Sequence, residues 1–259
     1  MTASLYVDRA SPIHRLNPVT KLVALLSLLV VVFALPQWWA IGLVALVVIV
    51  PAAVIARCGS RLAKFGGVIL VPIIVVLVIV QGLTFPGGQT PIWQWGFMTV
   101  TSEGLLFAIT IGMRIICLVL ASLLLVLTTH PGDLMSALTE RGMSPKFSYI
   151  ISSTLQLIPS FQDRANAILL AQQARGLAVP RNPLRRAGVL LPLLGPLVLG
   201  MFTDVDERST AMEARGFGST ARRTSLTPVP DSGAQRVARW VMPVIAVAAI
   251  VVPIVGGTQ

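Results

Sequence analysis

The tripeptide Ala-Arg-Gly occurs twice in the chain, as Ala174-Arg175-Gly176 and as Ala214-Arg215-Gly216. Each copy ends a segment with helical spacing of apolar residues, 159–176 and 196–216, and each segment starts with a proline. Arginine in a last turn suits the negative end of the helix dipole, so two capped helices are the simplest interpretation. Because both copies also share the preceding alanine, a binding role is favoured over capping alone. A small residue, a forked donor and a glycine cap form a helix tip that can enter a groove and bind a carboxylate.

The elements that position these tips are apolar. Of 259 residues, 55% are hydrophobic and only 12% are charged, whereas a soluble domain has about 25% charged residues. The composition therefore predicts an all-α, polytopic membrane protein. The net charge of +10 is explained by basic cytoplasmic loops rather than by nucleic-acid binding.

Five apolar runs predict about five transmembrane helices, at 22–35, 39–56, 66–84, 104–128 and 241–255. Arginine and lysine precede the first run and separate the second from the third, whereas 85–103 carries only Glu103. This bias predicts a cytoplasmic N-terminus and an external segment containing Trp93 and Trp95.

Two further apolar runs, 149–161 and 187–202, are ambiguous, since hydropathy alone could make both of them spans. If either crossed singly, five or six arginines would lie outside, so five spans are favoured over six or seven. We expect three parts: a membrane domain at 1–129, a cytoplasmic-side module of long helices at 130–239, and a last transmembrane helix at 240–259.

The chain resembles the transmembrane T component of energy-coupling factor (ECF) transporters, the EcfT/CbiQ family. The resemblance covers nearly the whole chain, and the paired Ala-Arg-Gly motifs at this separation are its most specific part. Its other segments are His14-Arg15-Leu16-Asn17-Pro18-Val19-Thr20-Lys21, Thr128-Thr129, Ile158-Pro159, Ala171-Gln172-Gln173, Leu191-Pro192-Leu193 with Pro196-Leu197, Asp206-Glu207, and Ala211-Met212-Glu213 with Phe217-Gly218.

The resemblance implies a non-catalytic coupling subunit in a bacterial or archaeal cell (inner) membrane. Two long coupling helices would cross, and their tips would bind two ABC-type ATPase subunits, which bind the ATP. A small membrane subunit would bind the substrate, a vitamin or transition metal that this chain does not reveal. Asp206 and Glu207 would brace the crossing helices.

Other chemistry is sparse in the sequence. It has no phosphate-binding Gly-x-x-x-x-Gly-Lys-Ser/Thr loop and no acid–base or nucleophile pairing, so we expect no catalytic residue and no cofactor. His14 and His130 are far apart, and capping or interface roles are favoured over metal binding. We expect Asp204 to pair with Arg208 four residues later.

Arg114 is the one obvious charge inside a predicted span. It predicts either a contact with a partner subunit or a buried carbonyl, or else snorkelling or a structural bond inside the bundle. The competing function for the whole chain is a stand-alone membrane scaffold or channel without an ATPase partner.

Overall fold

The computed structural model describes residues 11–84, 90–95, 98–177, 183–219 and 230–255. These residues form nine α-helices, one π-helical turn and a two-stranded hairpin. In chain order the elements are α1 Pro18–Ala34, α2 Trp38–Val44, the π-turn Ala45–Ile49, α3 Val50–Ile55, α4 Gly59–Thr84, β1 Pro91–Trp95, β2 Met98–Thr101, α5 Ser102–Thr128, α6 Pro131–Thr139, α7 Pro145–Ala174, α8 Pro183–Ala214 and α9 Gly233–Val255.

The predicted fold class, an all-α polytopic membrane protein, is confirmed. Four described segments are long and apolar enough to cross a membrane, namely Trp38–Ile55, Gly59–Gly82, Ser102–Thr128 and Gly233–Val251. The apolar helix α1 has 17 residues and coincides with the remaining predicted span. Within the described part of the chain, neither α7 nor α8 is among these candidate spans. The antiparallel hairpin β1–β2, which lies in the segment predicted to be external, was not anticipated.

Two of the predicted helix starts are wrong. Pro159 lies inside α7 and Pro196 lies inside α8, because these helices begin at Pro145 and Pro183. A proline inside a long helix removes one hydrogen bond and can bend the helix without ending it. Helix α7 begins with a proline at Pro145, and its N-cap residue Ser144 makes no side-chain capping hydrogen bond.

The chain divides into two compact units. We call Ala3–Ala137 together with the residues from Val229 onward the apolar unit, and Leu138–Pro228 the tip unit. The division into domains 1–129, 130–239 and 240–259 stays a prediction.

The core of the apolar unit is built where α5 packs against earlier helices. One cluster joins Val32 and Ile41 to Cys117, and a second joins Ala53 to Leu127. Helices α4 and α5 approach closely at Gly66, where a Cβ atom would lie 2.8 Å from a methyl carbon of Leu120. Helix α5 therefore contributes to both core clusters of this unit and to its close contact with α4.

Polar bonds fasten α9 to the start of α1. The side chain of Asn17 caps α1, because its Oδ1 accepts a hydrogen bond from the Val19 backbone amide at 3.0 Å. The backbone amide of Asn17 donates to Gln235 Oε1 at 2.9 Å. Arg239, whose side chain is 10% exposed, donates to Thr20 Oγ1 at 2.9 Å. Asn17 and Thr20, within the segment His14–Lys21 that carries the family resemblance, therefore join α1 to α9.

The end of α5 is fastened to the same end of α1. Lys21 Nζ donates to the carbonyl oxygen of Thr128 at 2.8 Å, where α5 ends. A lysine at the carbonyl end of a helix satisfies an orphan acceptor and complements the helix dipole. Three helices of the apolar unit thus converge on residues 17–21.

Candidate functional site

The first Ala-Arg-Gly motif forms the C-terminal tip of α7. Arg175 is the C-cap, and Gly176 has φ of +94°, which is a left-handed conformation that favours glycine. The Leu177 amide donates to the Gln172 carbonyl at 3.0 Å, and the Gly176 amide donates to the Gln173 carbonyl at 2.9 Å. This pair of bonds is the Schellman motif.

The second Ala-Arg-Gly motif forms the same structure at the end of α8. Gly216 has φ of +68°. The Phe217 amide donates to the Met212 carbonyl and the Gly216 amide donates to the Glu213 carbonyl, both at 2.9 Å. Arg215 therefore occupies the position that Arg175 occupies in α7, and the predicted glycine caps are confirmed at both tips.

Both tips are open to solvent. Each alanine, arginine and glycine of the two motifs is exposed. In the part of the chain that the structure describes, neither Arg175 nor Arg215 makes an ion pair. An exposed guanidinium beside a small residue can form a bidentate bond with a carboxylate of another molecule.

A third glycine cap has the same backbone geometry but lacks the Ala-Arg-Gly sequence. Gly142, after α6, has φ of +101°, and Met143 donates to the Leu138 carbonyl at 3.1 Å in the same pattern. Here the glycine follows Glu140-Arg141 rather than Ala-Arg. Glycine caps are common, so the two tips differ from this cap in their duplicated Ala-Arg-Gly sequence and in their arrangement on one helix pair.

Helices α7 and α8 pair in antiparallel fashion. The Tyr149 ring near the start of α7 lies 5.1 Å from the Phe217 ring just after α8, measured between centroids. Arg164, in the second half of α7, binds Asp204 of α8. The two Ala-Arg-Gly tips therefore lie at opposite ends of the helix pair.

The bond between Arg164 and Asp204 corrects one expectation. Nη1 lies 2.8 Å from Oδ2 and Nη2 lies 3.1 Å from Oδ1, so the pair is bidentate. Asp204 thus pairs across the helices and not with Arg208 of its own helix, because the guanidinium of α7 reaches both carboxylate oxygens. Sequence spacing along α8 could not have revealed a partner on α7. Asp206 and Glu207 are exposed, and their bracing role stays a prediction.

A groove of about 340 Å³ runs between α7 and α8. Its lining includes Tyr149, Leu157, Phe161, Met201 and Met212, with Arg164 and Asp204 among its polar groups. The two helices touch at polar and aromatic positions and leave an apolar groove between these contacts.

Arg114 bonds inside the apolar unit. Its Nη2 donates to the Leu35 carbonyl oxygen at 2.9 Å, and the guanidinium lies 5.8 Å from the centre of the Phe33 ring. The partner is thus a half-buried backbone carbonyl inside the bundle, which is one of the alternatives predicted from the sequence. Its candidate contact with a partner subunit stays a prediction.

The histidines make local contacts. His14 Nδ1 lies 2.7 Å from Ser11 Oγ, and His130 Nδ1 accepts from the Gly132 amide at 3.2 Å. Among the described residues, no three His, Cys, Asp or Glu side chains form a group that could hold a metal ion.

Known proteins resemble this chain along most of its length. Residues 9–226, which include both tips, match the family model of CbiQ, described as cobalt transport protein. The energy-coupling factor transporter transmembrane protein EcfT of Heliobacterium modesticaldum is 34% identical over 243 residues, 90% of each chain. The EcfT of Brevibacillus brevis is 31% identical over 265 residues, 97% of this chain and 95% of the relative. The EcfT of Ruminiclostridium cellulolyticum is 29% identical over 237 residues, 87% of each chain.

The chain belongs to the EcfT/CbiQ family. The family assigned from the paired motifs and the N-terminal motif is therefore confirmed. As an EcfT/CbiQ protein, the chain is a multi-pass membrane protein and a transmembrane component of energy-coupling factor transporters. Its two exposed, duplicated helix tips are the candidate functional site of this EcfT/CbiQ protein.

Proposed function

We propose that this chain is the coupling subunit of an ECF-type ABC importer for a vitamin or a transition metal. In this proposal Ala174-Arg175-Gly176 binds one ABC-type ATPase subunit and Ala214-Arg215-Gly216 binds the other. A small membrane subunit binds the substrate, and this chain transmits the ATPase motion to it. The N-terminus lies in the cytoplasm and the complex lies in the cell membrane.

One observation carries the proposal: the two tips have the same sequence and the same backbone geometry, and they lie at opposite ends of one antiparallel helix pair. Two tips with the same sequence, at opposite ends of a helix pair, can each bind one of two similar partner subunits. The chain lacks a phosphate-binding loop, so ATP hydrolysis is assigned to those partners. ATP is their ligand, and the coupling subunit itself uses no cofactor.

Charge reversal at the tips tests the proposal. The full chain is expressed with its two ATPase subunits and its substrate-binding subunit, and copurification and substrate uptake are measured. Arg175→Glu and Arg215→Glu should each weaken assembly by at least about 30-fold, since breaking a buried charge pair costs about 2 kcal/mol or more. Arg141→Glu is the matched control, because this arginine holds the same cap position without the preceding alanine, and it should keep assembly.

Normal assembly and uptake in both tip variants would overturn the proposed site. If no ATPase subunit copurifies with the wild-type chain, a stand-alone scaffold or channel replaces the coupling function.

A further inference from the structure

The Arg164–Asp204 pair is built into the crossing of α7 and α8. The guanidinium binds both carboxylate oxygens, a geometry that fixes direction as well as distance. Arg164 also lies against Gly200, where a Cβ atom would be 3.1 Å from Nη1 and 3.8 Å from Cδ. A glycine at position 200 therefore gives the arginine room to lie across α8.

The pair is placed symmetrically between the two tips. Arg175 lies eleven positions after Arg164 along α7, and Arg215 lies eleven positions after Asp204 along α8. At 1.5 Å per residue, each tip is about 16 Å along its helix from the bonded pair. Because the helices are antiparallel, the two tips extend in opposite directions from the bonded pair.

Stability alone is a weak reason for this pair. The side chains of Arg164 and Asp204 are 40% and 33% exposed, so solvent screening limits what even a bidentate pair adds to the free energy of unfolding. In the described part of the chain it is the ion pair that joins α7 to α8. Its bidentate geometry resists both sliding and rotation of one helix against the other.

We propose that Arg164 and Asp204, with Gly200 beneath the guanidinium, form the pivot of a lever with two equal arms. The pivot prevents α7 and α8 from slipping, so a displacement at one tip moves the other tip and the helix pair as a whole. Arg164 and Asp204 are positioning residues in this mechanism, which rests on the coupling function proposed above.

The first test separates coupling from assembly. In proteoliposomes containing the full complex, Arg164→Gln and Asp204→Asn should keep all subunits and ATP hydrolysis but reduce uptake by about fivefold or more, the lower range of measured coupling effects. The swapped double variant Arg164→Asp with Asp204→Arg should regain most of the uptake, because the pair is rebuilt with reversed polarity. Asp163→Asn is the control, since Asp163 is exposed beside Arg164, and it should transport normally. Wild-type uptake in both single variants, or a swap that regains nothing, would overturn the pivot.

The second test needs no partner subunit. Spin labels on cysteines at Gln173 and Glu213, in a chain with Cys58 and Cys117 replaced by serine, report the distance between the tips by pulsed electron paramagnetic resonance. The distance distribution should be narrow with the pair intact, broader in Asp204→Asn and narrow again in the swap. An unchanged distribution in Asp204→Asn contradicts the pivot even if the proposed ATPase partners prove wrong, so the two proposals fail separately.

Discussion

Arg114 on α5 donates a hydrogen bond to the carbonyl oxygen of Leu35, the C-cap residue that follows α1. Leu35 is extended, with φ of −77° and ψ of 124°, as expected for a residue that precedes proline. Its carbonyl therefore points away from the α1 hydrogen-bond ladder and needs another donor. A charge in the middle of one helix thus caps the end of a neighbouring helix.

Removing this donor should destabilise the protein. Arg114→Met leaves the Leu35 carbonyl without its charged donor, which should lower the free energy of unfolding by about 1–3 kcal/mol. Thermal unfolding of the detergent-solubilised chain would detect the loss. If Arg114 serves a partner subunit instead, the isolated variant should be as stable as the wild type while assembly of the complex fails.

Alanine at the two glycine caps should weaken the tips. Gly176→Ala and Gly216→Ala place a Cβ atom on a left-handed residue, which costs about 1–2 kcal/mol each, and no neighbouring atom lies within 4 Å of either Cβ position. Faster amide hydrogen exchange in the last turns of α7 and α8 would report the effect. Gly195→Ala is the control, since Gly195 lies inside α8 with open space around it, and it should leave exchange the same or slower. Equal exchange in all three variants would refute this account of the caps.

Arg239 and Arg236 provide a matched pair on α9. The side chain of Arg239 is 10% exposed and donates to Thr20 and Asp231, whereas Arg236 is 69% exposed and lies 3.8 Å from Asp231. Arg239→Gln should therefore lower the melting temperature, with a loss of about 1.5–3 kcal/mol for hydrogen bonds of a charged group. Arg236→Gln should change it little, since exposed ion pairs contribute little. The same loss in both variants would contradict this role for the Thr20 bond.

The topology can be mapped with single cysteines. In a chain lacking Cys58 and Cys117, cysteine at Ser144, Ser219 or Thr258 is exposed to a membrane-impermeant thiol reagent on intact cells. Thr258 lies outside the described residues, but the five-span topology predicts that only this site reacts, because the arginine-rich segment between Ser144 and Ser219 should stay in the cytoplasm. Labelling at Ser144 or Ser219 would rule that topology out.

The sequence by itself determined the class, the family and the tips. Long apolar runs leave few alternatives to transmembrane helices, and glycine after arginine fixes where α7 and α8 end because those signals act within one turn. Proline was less informative. Pro159 and Pro196 predicted helix starts, but α7 and α8 continue through these two residues. Local signals located helix ends and could not give helix lengths.

Tertiary structure decided which residues meet. The spacing along α8 predicted a pair between Asp204 and Arg208. The antiparallel packing of α7 and α8 instead places Arg164 against Asp204. The carbonyl bonded by Arg114 and the bonds from α9 to residues 17–20 likewise join positions 79 to 219 residues apart. A linear pattern records which face of a helix is apolar, but the choice of partner depends on how the helices pack, so these contacts could be found only in the folded chain.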